Sequence, residues 1–296
     1  MKIFDCFMYF DEETILDIRL NTLNDYVDYF VIVESKFTHK GDKRNLKFDI
    51  KKFSKFKNKI IYLVYDKEPT EVEKIFDHDS EVMKSKKYIF NAAYRENGQR
   101  NFLLEGLKKA ENKDLILISD VDEIPNLKEI NLNNIKEKII LFKQEMFYYK
   151  FNLKLPNFVW FGSRACKKKH LINPQWLRNV KHKKYSLLRF ETFFSKTKYN
   201  SIKFVENGGW HFSNMKNAKE IEHKLKSYLH HREFDLNPLT TDEIENIIKN
   251  KQAIYDLKVD KKVNKIGDGS KLQKYPIDRL PKFLQNNLKI YREWLD

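Results

Sequence analysis

Four apolar runs in the first 120 residues limit what this chain can fold into. They read "KIFDCFMYF" at 2–10, "YFVIVES" at 29–35, "KIIYLVY" at 59–65 and "LILIS" at 115–119. Each is too short for a core helix, rich in β-branched and aromatic side chains, and nearly continuous where a half-exposed strand would alternate. Such strands belong in a sheet covered on both faces, the setting of parallel sheets. Helical spacing fills the gaps. Ile15, Leu16, Leu20 and Leu23 predict a helix capped by Asp11 and running to about Asn24, and Leu103, Leu107 and Ala110 predict another from roughly Gln99 to Ala110. Strands alternating with helices make βαβ units, so the expected class is α/β.

The second half changes character. "IILFKQEMFYYKFN" and "FVWFGS" read as longer strands of a mixed sheet. "GGWHFS" follows at 208–213, then amphipathic helices near 217–234 and 241–256 and a C-terminal helix from about Pro281. Eight Gly and seven Pro are scattered without a linker or repeat, and 296 residues suit one large domain. The expectation is a single domain over 1–296, with an α/β half at 1–125 and a mixed, helical half at 126–296.

Charge and cysteines narrow the function classes. The net charge of +15 admits an anionic partner, such as nucleic acid or a phosphorylated substrate. However, ten Arg among the 57 basic residues leave 47 Lys spread along the chain, which reads as a Lys-rich surface and not as an Arg-based nucleic-acid reader. Cys6 and Cys166 are too few for a disulfide framework and suggest no metal site. Asp5 and Asp11 interrupt the apolar N-terminus, so it lacks the h-region of a signal peptide. No run approaches the ~18 apolar residues of a membrane span. A cytoplasmic setting is expected.

The chemistry concentrates where the fourth strand ends, in "LILISDVDEIP". Asp120, Asp122 and Glu123 follow directly on buried residues, and ligands of open parallel sheets bind beyond the carboxyl ends of strands. Two unpaired carboxylates so close repel each other and are costly to bury. A hard divalent cation, Mg²⁺ or Mn²⁺, resolves both problems and also bridges diphosphate oxygens. The other reading is a surface turn with acids beside a proline. Arg100, read as opening its helix, could hold a diphosphate, or could be an ordinary solvated Arg. Glu34 ends the second strand at the same rim; its alternative is a strand-end acid paired locally with Lys36. "NGGWHFS" reads as a tight turn presenting His211, either to complete a metal shell or as a satisfied core histidine.

These segments carry a resemblance. "FDCFMYFDEETILDIRLNTLNDYVDYFVIVESKFTHKG", "ISDVDEIP", "GGWHFS" with "IEHKLKSYLHHREF", and "YPIDRLPKFLQNN" together resemble glycosyltransferase family 17 from residue 3 to about 287. That is the family of β-1,4-mannosyl-glycoprotein 4-β-N-acetylglucosaminyltransferases. The resemblance implies a GT-A nucleotide-sugar-binding (Rossmann-like) fold, with 1–125 as the nucleotide-sugar half and 126–296 as the acceptor-side half. It implies an inverting transfer from a UDP-sugar, UDP-GlcNAc first, to a glycan hydroxyl, with Mn²⁺ or Mg²⁺. The D-x-D motif falls on Asp120, Val121 and Asp122, and G-W-H on Gly209, Trp210 and His211. Asp120, Asp122 and His211 are then expected at the metal, Glu34, Arg100 and Asp120 at the donor, and His231 or Glu233 as the general base. With no anchor or secretory signal read in these residues, the expected likeness is to bacterial or viral members and not to the animal enzymes. Two rivals from the residues alone are a metal-dependent nucleic-acid enzyme and a silent nucleotide-sugar-binding module.

Overall fold

The computed structural model describes residues 1–131, 134–186, 194–254 and 269–296. The first half runs β1 (Ile3–Tyr9), α1 (Glu13–Leu23), β2 (Tyr29–Ser35), β3 (Ile60–Tyr65), α2 (Glu81–Asn101) and β4 (Leu115–Asp120). β1 pairs in parallel with both β2 and β4, and β2 with β3. Alternate residues of these strands enter two separate cores. Phe7, Phe30, Ile32, Leu115 and Leu117 pack with Ile15, Leu16, Ile18 and Leu20 of α1. Phe4, Cys6, Val31, Val33, Ile116 and Ile118 pack on the other face with Leu103 and Leu107. Covering on both faces explains the continuous apolar runs.

The rest contributes β5 (Glu123–Pro125), β6 (Ile139–Phe142), β7 (Gln144–Tyr148), β8 (Leu153–Trp160), β9 (Arg164–Lys167), α3 (Pro174–Asn179), β10 (Ile202–Val205) and β11 (Gly209–Ser213). After them come α4 (Ala218–Ser227), α5 (His231–Leu236), α6 (Thr241–Lys249), β12 (Gln273–Lys274) and α7 (Lys282–Asn286). Two mixed sheets result. One has seven strands in the order β10-β6-β9-β4-β1-β2-β3, with β9 antiparallel to its neighbours. The other has five, in the order β12-β8-β7-β11-β5. No helix among the described residues is long and apolar enough to cross a membrane.

Several sequence expectations are corrected. The helix expected over 99–110 is instead α2, followed by a 3-10 segment at Phe102–Leu107. α2 buries only Asn91, Ala92, Gln99 and Arg100, so it has no apolar stripe to read, and Arg100 lies in its last turn, not its first. Asp11 does not cap α1; Glu12 holds that position, and Asp11 pairs with Lys216 at 2.6 Å. The helix near 217–234 is two, α4 and α5, because Tyr228 turns extended after α4. Capping boxes at Asn217/Glu220 and Thr240/Glu243 start α4 and α6. α6 ends at Lys249, and residues 255–256 of the longer expected helix lie outside the described residues. The C-terminal helix is the short α7.

The chain passes from one sheet to the other through the acidic turn. β4 ends at Asp120 and β5 begins at Glu123, where it pairs antiparallel with β11, Glu123 opposite His211 and Pro125 opposite Gly209. His211 therefore lies within a strand, and the tight turn precedes it. Gly209 has φ +124°, and a Cβ there would stand 2.1 Å from the Ile124 carbonyl oxygen. Gly209→Ala combines backbone strain with that clash and is expected to cost at least about 1–3 kcal/mol. A lowered urea midpoint at unchanged m-value would be the sign.

Candidate active site

A cleft of about 410 Å³ opens at the carboxyl ends of β1, β2 and β4. Strand order reverses between β1 and β4, where Met8 stands opposite Asp120, and such a switch point is where open α/β sheets bind ligands. β7, β11, the end of β8 and α4 wall the other side. Asp120, Asp122, Trp160, Arg178, His211 and Lys224 all line it.

The acids are held differently. Asp122 Oδ1 lies 3.5 Å from His211 Nε2 and its Oδ2 3.8 Å from Lys224 Nζ. Burial alone would raise the Asp122 carboxyl, but the His211 charge, with Lys224 behind it, holds it below the usual carboxylate range. Burial alone would lower the His211 imidazole, yet Asp122 first, then Glu123 and Asp120, raise it above its usual value. Its Nδ1 is buried with no hydrogen-bond partner among the described residues.

Asp120 is bound from both sides. Its Oδ1 accepts from Arg100 Nη2 at 3.0 Å and its Oδ2 from Arg178 Nη2 at 2.8 Å. Burial opposes its charge, but Arg178 and then Arg100 outweigh that and hold the carboxyl well below the usual range. Glu123 beneath it is fully buried. It accepts from Arg178 Nη1 at 2.6 Å, Trp160 Nε1 at 2.6 Å and the Asp120 backbone N–H at 2.8 Å. A Cβ on Gly162 would lie 2.4 Å from the Glu123 carboxyl carbon, so only glycine fits against it.

The remaining candidates stand outside the lining. Glu34 is fully buried and accepts from the Lys47 and Phe48 backbone N–H groups at 2.6 and 3.0 Å and from Tyr62 OH at 2.9 Å. Its ionic partner is Arg44 at 3.0 Å and not Lys36, which pairs with Asp66. Arg100 also bonds Glu96 at 2.7 Å and Gln175, so it stands behind Asp120. His231 is fully buried, its Nδ1 3.0 Å from the Tyr228 carbonyl and its ring edge-on to Tyr88; burial lowers its pKa. Glu233 is half-exposed, 3.5 Å from His230. It is His230 that lines the cleft.

A metal site with all three expected ligands is not preformed. Among the described residues no group of three or more His, Cys, Asp and Glu side chains gathers as a metal site. Asp120 gives both oxygens to guanidinium groups. Asp122 and His211 do fit: one hard oxygen and one nitrogen face each other across the cleft, and Mg²⁺- or Mn²⁺-type sites take one or two protein ligands plus phosphate oxygens. The missing acceptor at Nδ1 makes Asp122 the stronger of the two.

Arg178, Trp160 and Lys224 were not singled out by the sequence, and Glu123 had no role there beyond being a third acid. Lys224 does lie in the quoted "IEHKLKSYLHHREF" segment, and Trp160 in "FVWFGS". A protein-family model described as Glycosyltransferase family 17 matches residues 1–295. No curated protein matches the chain.

Proposed function

Because the chain belongs to glycosyltransferase family 17, we propose that it moves N-acetylglucosamine from UDP-GlcNAc to a glycan hydroxyl, inverting the anomeric carbon, in one domain of GT-A type. The meeting of Asp122 and His211, brought from two sheets into a cleft at the switch point, carries this reading. The parallel order β4-β1-β2-β3 supports the GT-A assignment.

Asp122 and His211 would hold Mn²⁺ or Mg²⁺, which when bound supplies a Lewis acid to the donor diphosphate. Lys224 gives a second cation beside that position, suited to charge growing on the leaving UDP. Arg100 and Arg178 neutralise Asp120, so the cleft does not repel an anionic donor. Glu34 acts by holding Arg44 and the 47–48 backbone at the donor end. Of the acids that line the cleft, Glu96, Asp120 and Asp122 are each engaged by a cationic side chain, whereas Glu12 is held by the Phe10 and Asp11 N–H groups. We therefore favour Glu12 as general base over His231 and Glu233.

UDP release from a panel of UDP-sugars, with calorimetric UDP binding beside it, tests the reading. UDP-GlcNAc should be turned over, EDTA should stop turnover, and Mn²⁺ should restore it; a protein that binds no UDP would overturn the proposal. Metal binding must also displace the His211 proton. Because that pKa is raised, Mn²⁺ affinity measured with UDP should climb about tenfold per pH unit from below 6.5 to somewhat above it, and His211→Ala should flatten the slope. The fall in activity on acidification then begins at a higher pH than an unperturbed imidazole would set.

A further inference from the structure

Arg19 of α1 and Asp5 of β1 are both completely buried, with side chains 0% exposed. Arg19 Nε and Nη2 donate to the two oxygens of Asp5 at 2.8 and 2.6 Å, a bidentate fork. Its guanidinium lies over the Phe7 ring, 4.4 Å from the centroid. The remaining nitrogen, Nη1, donates to the carbonyls of Asp120 at 3.0 Å, Val121 at 3.2 Å and Glu123 at 2.8 Å. The fourth carbonyl of the turn, that of Asp122, accepts from the Phe212 backbone N–H at 2.9 Å. Every carbonyl from 120 to 123 is thus bonded, three of them to one side chain.

A buried ion pair is a poor way to gain stability, since apolar residues of similar volume serve as well or better. What Leu or Met could not do is bind three carbonyls of one turn at once. With those peptide groups fixed from below, the Cα–Cβ directions of Asp120 and Asp122 toward the cleft are fixed too. A misplacement of about 1 Å at a reacting site can cost about 10²-fold in rate.

We propose that Asp5 and Arg19 are positioning residues for glycosyl transfer, holding the acidic turn in its reactive shape from the far side of the sheet. The inference rests on the reading of that turn as the donor site. Two variants test it: Arg19→Lys, which keeps a charge but loses the fork, and Asp5→Leu with Arg19→Met, which replaces the pair by apolar volume. Turnover is counted per UDP-binding site, with stoichiometry taken from calorimetry, so that misfolded molecules drop out. Both variants should lose about 10²-fold in kcat per site for UDP release from UDP-GlcNAc and need more Mn²⁺ for half-maximal UDP-dependent binding. The double variant removes the donor from three buried carbonyls and should melt below the parent, a loss that counting per UDP site takes out of the comparison. Wild-type kcat per site in either variant, or an activity loss fully accounted for by lost UDP sites, would overturn the positioning role. A parent protein that binds no UDP would instead sink the donor-site reading.

Discussion

Asp122→Asn is expected to lower kcat by about 10²-fold or more with only a modest fall in melting temperature, because the His211 imidazole left behind can shed its proton. The amide keeps the shape and can still face His211, but the charge shared between His211 and Lys224 is gone. In the variant the largest cause raising the His211 pKa is also removed, so the ring should titrate at lower pH. That shift, followed by NMR of the imidazole, checks the geometry independently of turnover. Two linked stability effects have opposite signs. The raised His211 pKa contributes stability below about 6.5 that is lost as pH rises through the folded-state value, and the lowered Asp122 pKa contributes stability that is lost as pH falls through its folded-state value. Asn at 122 should flatten both arms. Activity within fivefold of the parent would remove Asp122 from the reaction.

Arg178→Met should do the reverse and damage the fold first. Arg178 joins Asp120 at 2.8 Å to the fully buried Glu123 at 2.6 Å, and it also donates to the Gly162 carbonyl. Truncating one partner of a buried pair leaves the other charge uncompensated, at a cost of about 3–5 kcal/mol. Glu123 retains hydrogen bonds only from Trp160 Nε1 and the Asp120 N–H. Urea unfolding should show the loss, and adding Glu123→Gln should recover part of it by removing the orphaned charge. A variant as stable as the parent would show that the network is not a structural support.

How much of this was legible in the sequence follows from what each residue touches. β1, β2 and β4 were readable because burial on both faces writes itself as an unbroken apolar run; β3, at the edge of the sheet, carries such a run while only partly buried. α2 was not, because a long helix that buries Asn91, Gln99 and Arg100 shows no stripe, and its polar length displaced the expected helix onto Phe102–Leu107. Asp120 and Asp122 were readable because they end a strand. Their partners were not: Arg178 lies 58 residues beyond Asp120, and nothing local marks a guanidinium as belonging to that acid. His211 was found for its glycines and its family motif, but as part of a turn; the alternation of buried Trp210 and Phe212 on either side of it is the mark of the strand it occupies. Glu34 looked like a rim acid because strand ends usually face ligands, whereas here the 44–48 segment folds back over it.

The route of the chain through residues 120–123 has a consequence for how the molecule comes apart. A ligand seated on Asp122 and His211 is tied to β4 on one side and β11 on the other, so it works like a rivet through two plates. Binding then cannot quieten one sheet alone. Amide hydrogen exchange at Phe212, whose N–H is given to Asp122, and at Asp120, whose N–H is given to Glu123, should slow by the same factor when UDP and Mn²⁺ are added.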